Sequence, residues 1–184
     1  MNYTDKTAVQ NYILTNIDVA FDTQLTAYIE AMSRYADEYT GRTLVAADDD
    51  TTRLYDGDGT QSVRIDDVVS ITEVTVDDVV VTPFAYPANT VRRYRLDLSG
   101  SRFTAGQQNV AVTGRFGYFA SLPAQLKFAV TVLVAGIVNQ VNRQTDGVKS
   151  ETVGSYTVTY KDEKERSDFD MAMKILNGYR RISF

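Results

Sequence analysis

Apolar residues recur every three or four positions between Leu25 and Tyr39 (Leu25, Tyr28, Ile29, Met32, Tyr35, Ala36, Tyr39), the spacing of one face of an amphipathic helix. Asp22 suits the N-cap of this helix, and Gly41 its left-handed stop. Glu30 and Arg34, four apart on the opposite face, add a solvated ion pair. A shorter helix is predicted ahead of it, capped by Thr4, with Asp5 in the first turn and Val9, Tyr12 and Ile13 on its apolar side. From Thr51 the period falls to two. Val63 and Ile65 alternate with Ser62 and Arg64, Tyr94, Leu96 and Leu98 with Arg93, Arg95 and Asp97, and Val110 and Val112 continue toward Gly114. Turn signals at Asp56–Gly59, Asp77-Asp78 and Ser99-Gly100 divide residues 51–120 into short antiparallel strands, with a hairpin folded about Asp77-Asp78.

Pro123 then opens the longest helix, predicted to run to Arg143, with Leu126, Ala129, Val130, Leu133, Val134, Ile137, Val138 and Val141 forming a broad apolar face. Gly147 ends it. Tyr156, Val158 and Tyr160 alternate as a short strand, and Ser167 or Asp168 caps a last helix carrying Phe169, Met173, Ile175 and Leu176. The predicted class is α+β. N-terminal helices, a long central helix and a C-terminal helix form a helical bundle, into which an antiparallel β-rich unit is inserted. The predicted parts are 1–50 (N-terminal helical part), 51–120 (β unit) and 121–184 (long helix, short strand, C-terminal helix and tail).

Composition narrows the chemistry. Cysteine and histidine are both absent from the 184 residues, which removes thiol chemistry, the commonest general base and the commonest metal ligand. The opening residues lack the basic start and apolar run of a signal peptide. The most apolar stretch, Phe128 to Val138, is shorter than a membrane span, so a soluble chain made in the cytoplasm is expected. Charge is uneven. Residues 1–60 hold 4 Lys+Arg against 11 Asp+Glu, whereas 61–184 hold 15 against 13. This does not suit nucleic-acid binding, which needs a concentrated basic face. It does suit a subunit whose ends meet different partners.

Each candidate site has a plainer structural alternative. Asp56, Asp58, Thr60 and Asp67 have the outline of a calcium loop, but Gln61 stands where that loop needs glycine and the final glutamate is missing. A glycine-rich turn fits better. Asp48–Asp50 or Asp66-Asp67 as an acid/base pair is weaker still, because adjacent strand residues face opposite ways. No phosphate loop, nucleophile elbow or zinc-ligand spacing occurs. No catalytic residue, metal or cofactor is therefore expected. Arg92, Arg93 and Arg95 form either one polar strand face or a contact with a neighbouring subunit. Tyr28, Tyr35 and Tyr39 form either core or inter-subunit packing. The chain closes on Leu176-Asn-Gly-Tyr-Arg-Arg-Ile-Ser-Phe184. Chain ends are ordinarily polar, so Tyr179, Arg180, Arg181, Ile182 and Phe184 are docked either inward or on a partner.

Five segments, in order, resemble the head–tail connector (adaptor, or head-completion) proteins of tailed bacteriophages. They are Ala36-Asp-Glu-Tyr-Thr-Gly-Arg42, Arg53-Leu-Tyr-Asp-Gly-Asp-Gly59, Val112-Thr-Gly-Arg-Phe-Gly-Tyr118 with Pro123 beyond it, Val153-Gly-Ser-Tyr-Thr-Val-Thr-Tyr160, and Leu176 to Phe184. The resemblance implies a non-enzymatic virion protein of the neck, assembled in the host cytoplasm. It further implies a dodecameric ring beneath the portal protein that extends the DNA channel and offers a platform to the tail or to a tail-stopper or terminator protein. DNA would pass without sequence readout, and no membrane is involved. The tail from Tyr179 would dock on the portal. The alternative is a carbohydrate- or peptide-binding β module of a tail or neck component, with Phe84, Tyr86 and Tyr94 as its aromatic platform.

Overall fold

The computed structural model describes residues 1–82, 84–85, 94–146, 150–153, 156–159 and 163–181. In chain order the elements are α1 (Lys6–Ile13), α2 (Asp22–Thr40), β1 (Thr51–Gly57), β2 (Ser62–Arg64), β3 (Val68–Val76), β4 (Val79–Val80), β5 (Phe84–Ala85), β6 (Arg95–Leu98), β7 (Gly106–Phe116), α3 (Ala124–Asp146), β8 (Ser150–Val153), β9 (Tyr156–Thr159) and α4 (Glu163–Asn177). The fold is α+β and divides into two compact units, Met1–Gly41 with Pro123–Phe184, and Arg42–Leu122.

The first unit is helical. α3 packs against α1, α2 and α4, and Leu126, Ala129, Val130, Leu133, Val134 and Val138 are buried along it. Val9 of α1, Leu25, Ile29 and Ala36 of α2, and Ala172 and Leu176 of α4 are buried as well. The apolar stretch of α3 is longer than Phe128 to Val138. Ala124–Val141 has mean hydropathy 1.4 and would be long enough to cross a membrane, but its contacts make it the core helix of the bundle. Three capping expectations need correction. Asp5, not Thr4, caps α1, its carboxylate accepting from the Ala8 amide at 2.9 Å. Thr4 is buried and bonds instead to Thr131 Oγ1 on α3 at 2.6 Å. Asp22 is the first residue of α2 and pairs with Lys6, while Asp18 caps the short turn before it. α4 begins at Glu163, so Ser167 and Asp168 lie inside the helix, where Asp168 accepts from the Tyr12 hydroxyl at 2.6 Å. Gly41 does end α2, at φ 65°. Residues 150–159 carry two strands, β8 and β9, paired antiparallel. Gly147 and Tyr160 lie outside the described residues.

The second unit holds two antiparallel sheets, ordered β1-β7-β3-β4 and β2-β6-β5. Side chains from both meet in one core, including Val63, Val74, Leu96, Leu98, Val110, Val112, Phe103 and Phe116. The β3–β4 turn leaves two residues, Asp77 and Asp78, between the paired Val76 and Val79. Both have positive φ, 50° and 62°, the pattern of a type I′ hairpin.

Residues 42–50 belong with the strands, although the change of period at Thr51 groups them with the helices. Leu44, Val45 and Ala46 are buried, and the segment runs parallel to Tyr118-Phe119. The amides of Tyr118 and Phe119 donate to Thr43 and Leu44 carbonyls at 2.9 Å each, and the Ala46 amide donates back to Phe119 at 3.0 Å. Gly117 allows this approach, since a Cβ there would lie 2.3 Å from the Ala46 nitrogen. The entering and leaving segments of the unit are thus bonded side by side.

Candidate docking surfaces

The C-terminal segment is tied to the helical unit by its backbone. After α4, the Gly178 amide donates to Ile175 and Lys174, that of Tyr179 to Leu176, and that of Arg180 to Asn177. The Arg181 amide then donates to the Thr40 carbonyl at the end of α2, at 2.7 Å. Thr40 is fully buried, and its hydroxyl bonds back to the Ala36 carbonyl at 2.8 Å, which holds the acceptor in place. Tyr179 is half-buried, with its hydroxyl 3.4 Å from Gln125 Oε1 on α3. Arg180 is exposed, its guanidinium 5.7 Å from the Tyr39 ring centroid, within range of a cation–π attraction. Ile182 and Phe184 lie outside the described residues.

The tyrosine stripe of α2 leads to the same end. Tyr35 and Tyr39 stack at 5.9 Å between centroids and 28° between planes, and the Tyr35 hydroxyl approaches Met173 Sδ of α4 at 4.0 Å. Tyr35 remains exposed. Tyr28 lies at the other end of the helix, half-buried beside Phe21. Tyr35, Tyr39 and Arg180 therefore form one aromatic and cationic patch, and Tyr28 is separate from it.

On the β unit, Arg95 sits opposite Arg64 in the β2–β6 register, both side chains exposed. Arg95 bonds Asp97 at 2.7 Å and Ser62 Oγ at 2.8 Å, and Arg64 lies over the Tyr94 ring at 5.4 Å. Arg92, Arg93 and Tyr86 are outside the described residues. Phe84 packs on the β core and Tyr94 is covered by Arg64. Within the β unit, the described residues Phe84 and Tyr94 thus form no open aromatic platform.

The clustered aspartates have structural roles. Asp58 turns back to bond the Thr60 amide and hydroxyl, and those two bonds hold its carboxyl below the usual range. Asp66 accepts from Arg53 at 2.8 Å and from the Tyr55 hydroxyl at 3.1 Å. Burial, foremost, pushes Tyr55 up to about 12. Asp67 is buried and pairs with Arg42 at 2.5 Å, while Arg42 lies 4.5 Å over the Tyr118 ring. Asp67 Oδ1 has no hydrogen-bond partner. Among the described residues, no three carboxylates converge as metal ligands would. The Arg42–Asp67 pair is hidden in the sequence because the two lie 25 positions apart. Arg42 directly after the helix-stopping Gly41 is its one visible trace.

A family model described as head completion protein matches residues 3–182. The chain belongs to the head completion protein family. Two solved structures are similar to this chain. One is a chain in the neck of an empty GTA particle computed with C6 symmetry, 15% identical, TM-score 0.56, covering 89% of this chain and 80% of that one. The other is a chain in the neck of a native GTA particle computed with C12 symmetry, 16% identical, TM-score 0.54, covering 97% and 92% respectively. At such identities the similarity speaks to the fold. No curated protein matches the chain in sequence.

Proposed function

We propose that the chain is a structural subunit of the virion neck that assembles into a ring between portal and tail and acts by joining, not by catalysis. The family match from residue 3 to residue 182 carries this reading, and the fold shared with neck proteins of GTA particles supports it. In this reading the ring is dodecameric, lies beneath the portal, extends the DNA channel and offers the tail or a stopper its platform. DNA passes without sequence readout, and the net charge of -5 keeps the sequence-independent attraction to phosphates weak.

The portal-docking element is the C-terminal segment Tyr179, Arg180, Arg181, Ile182 and Phe184. Its first three residues are already fixed on α2 and α3. A partner that grips this end does not have to order them, a saving of roughly 1–2 kcal/mol of backbone entropy per residue. Arginine and aromatic side chains are also the types that dominate interface energy. Tyr28, Tyr35, Arg92, Arg93 and Arg95 are contacts between neighbouring subunits in the ring.

Deleting residues 179–184 tests the docking role. The truncated chain should keep its circular dichroism and melt within a few degrees of the full chain, yet fail to join portal-bearing capsids in an incorporation assay. A truncated chain that unfolds, or that joins normally, removes the docking role.

A further inference from the structure

Within the β unit, side chains that alternate with the core point away from it, on opposite sides of the two packed sheets. On the four-stranded sheet, Leu54 of β1 is registered with Ala111 of β7, Ala111 with Thr75 of β3, and Thr75 with Val80 of β4. This row crosses the whole sheet, about 14 Å at the usual strand spacing. Its two ends are the most open: Leu54 is 55% exposed and Val80 57%. Carboxylates flank it on both sides. Glu73 is exposed in the adjoining row with Thr113 and Thr52, and Asp56, exposed two residues beyond Leu54 where the β1–β7 register shifts, accepts from the Gln108 amide at 2.6 Å. Arg115, the cation of this face, is occupied by Asp48 and the Ala47 carbonyl.

The three-stranded sheet has the opposite character. Val63, Leu96 and Leu98 point into the core, so Arg64 and Arg95 point out, directly opposite each other. Like charges so placed weaken a strand pair; the Arg95 bonds to Asp97 and Ser62 and the Arg64 stack on Tyr94 offset part of that loss, and both guanidiniums stay exposed to a partner. Two guanidiniums on one face and an acid-flanked apolar row on the other are complementary. Arginine stems can cover Leu54 and Val80 while a head reaches Glu73. Pairing the four-stranded face with itself would instead set carboxylate rim against carboxylate rim.

We propose that the β units of neighbouring copies stack face to face, the Arg64/Arg95 face of one lying on the Leu54–Val80 row of the next. This deepens the ring reading above and rests on it. Because the two surfaces differ and lie on opposite sides of one unit, the contact is head-to-tail, the type that generates rings when the rotation closes.

The chain has no cysteine, so introduced thiols report without background. Full-length chain carrying both Ser62→Cys and Val80→Cys, assembled into particles and treated with a short bis-maleimide, should give a ladder of covalent oligomers beyond the dimer. Either substitution alone should leave monomers. Arg64→Glu with Arg95→Glu should reduce incorporation at least tenfold while the circular dichroism spectrum stays that of the folded parent, and adding Glu73→Lys should recover several-fold of it. Dimers from Val80→Cys alone, monomers from the double variant in particles whose necks contain the chain, or charge swaps that leave the chain folded and its incorporation unchanged would each overturn the stacking and leave the neck reading standing. A chain absent from the neck altogether would overturn both.

Discussion

Replacing Arg42 by alanine should cost the β unit about 3–5 kcal/mol, the range for removing one partner of a buried ion pair. The side chains of Arg42 and Asp67 are only 10% and 4% exposed, so water cannot replace the lost partner. Asp67 Oδ1 already lacks a hydrogen bond, and the substitution would take the guanidinium from Oδ2 as well. Loss of the contact with Tyr118 adds roughly 0.5–2 kcal/mol, overlapping with the first figure because one guanidinium makes both contacts. The chain has no tryptophan and 12 tyrosines, so urea unfolding is followed by circular dichroism and tyrosine emission. At a slope of about 1–3 kcal/mol/M the midpoint of the β-unit transition should fall by roughly 2 M. The double variant Arg42→Met with Asp67→Leu separates charge from shape. Apolar replacement of both partners is often neutral or stabilising, so it should lie within about 1–2 kcal/mol of the parent. A cost below about 1 kcal/mol for Arg42→Ala, or a double variant as unstable as the single one, would show that the pair does not hold the base of this unit.

Two further outcomes follow from backbone geometry and titration. Asp77→Asn with Asp78→Gly should raise stability by about 1 kcal/mol in the same urea assay, because both positions have positive φ, a conformation that Asn-Gly adopts with less strain; an unchanged or lower midpoint would contradict the turn assignment. Tyr55, raised from 10.0 to about 12 chiefly by burial, favours the folded state below pH 10, and that contribution is lost as pH climbs from about 10 through about 12. Tyr55→Phe should cost about 1 kcal/mol near neutrality through the lost bond to Asp66. The gap to the parent should then close by an amount on the order of 1 kcal/mol by pH 11.5, after allowing for the half-buried position; a gap that does not change with pH would refute the burial argument.

The helices and most strands were legible because each signal was local. The tyrosine periodicity marked α2, Gly41 its end, and Asp77-Asp78 the hairpin. What escaped was set by partners distant in sequence. Thr4 and Asp5 are both good caps, and only Thr131, on a helix more than a hundred residues later, decides between them. Residues 42–50 show no period because much of what holds them is backbone bonding from Thr43, Leu44 and Ala46 to Tyr118 and Phe119, which leaves no side-chain pattern in the segment itself. The Thr40-Gly41-Arg42 string stands out in the sequence only as a motif. In the structure Thr40 is the acceptor for the Arg181 amide, Gly41 the left-handed stop of α2, and Arg42 the cation for a buried carboxylate.

The lateral bonding of Thr43–Ala46 to Tyr118 and Phe119 also makes the β unit a cassette. Its two chain ends emerge together, so a graft could enter a host protein at a single loop without rethreading anything. Variation in length among relatives should therefore collect between residues 42 and 122, where a new module can be exchanged while the joint itself stays as it is.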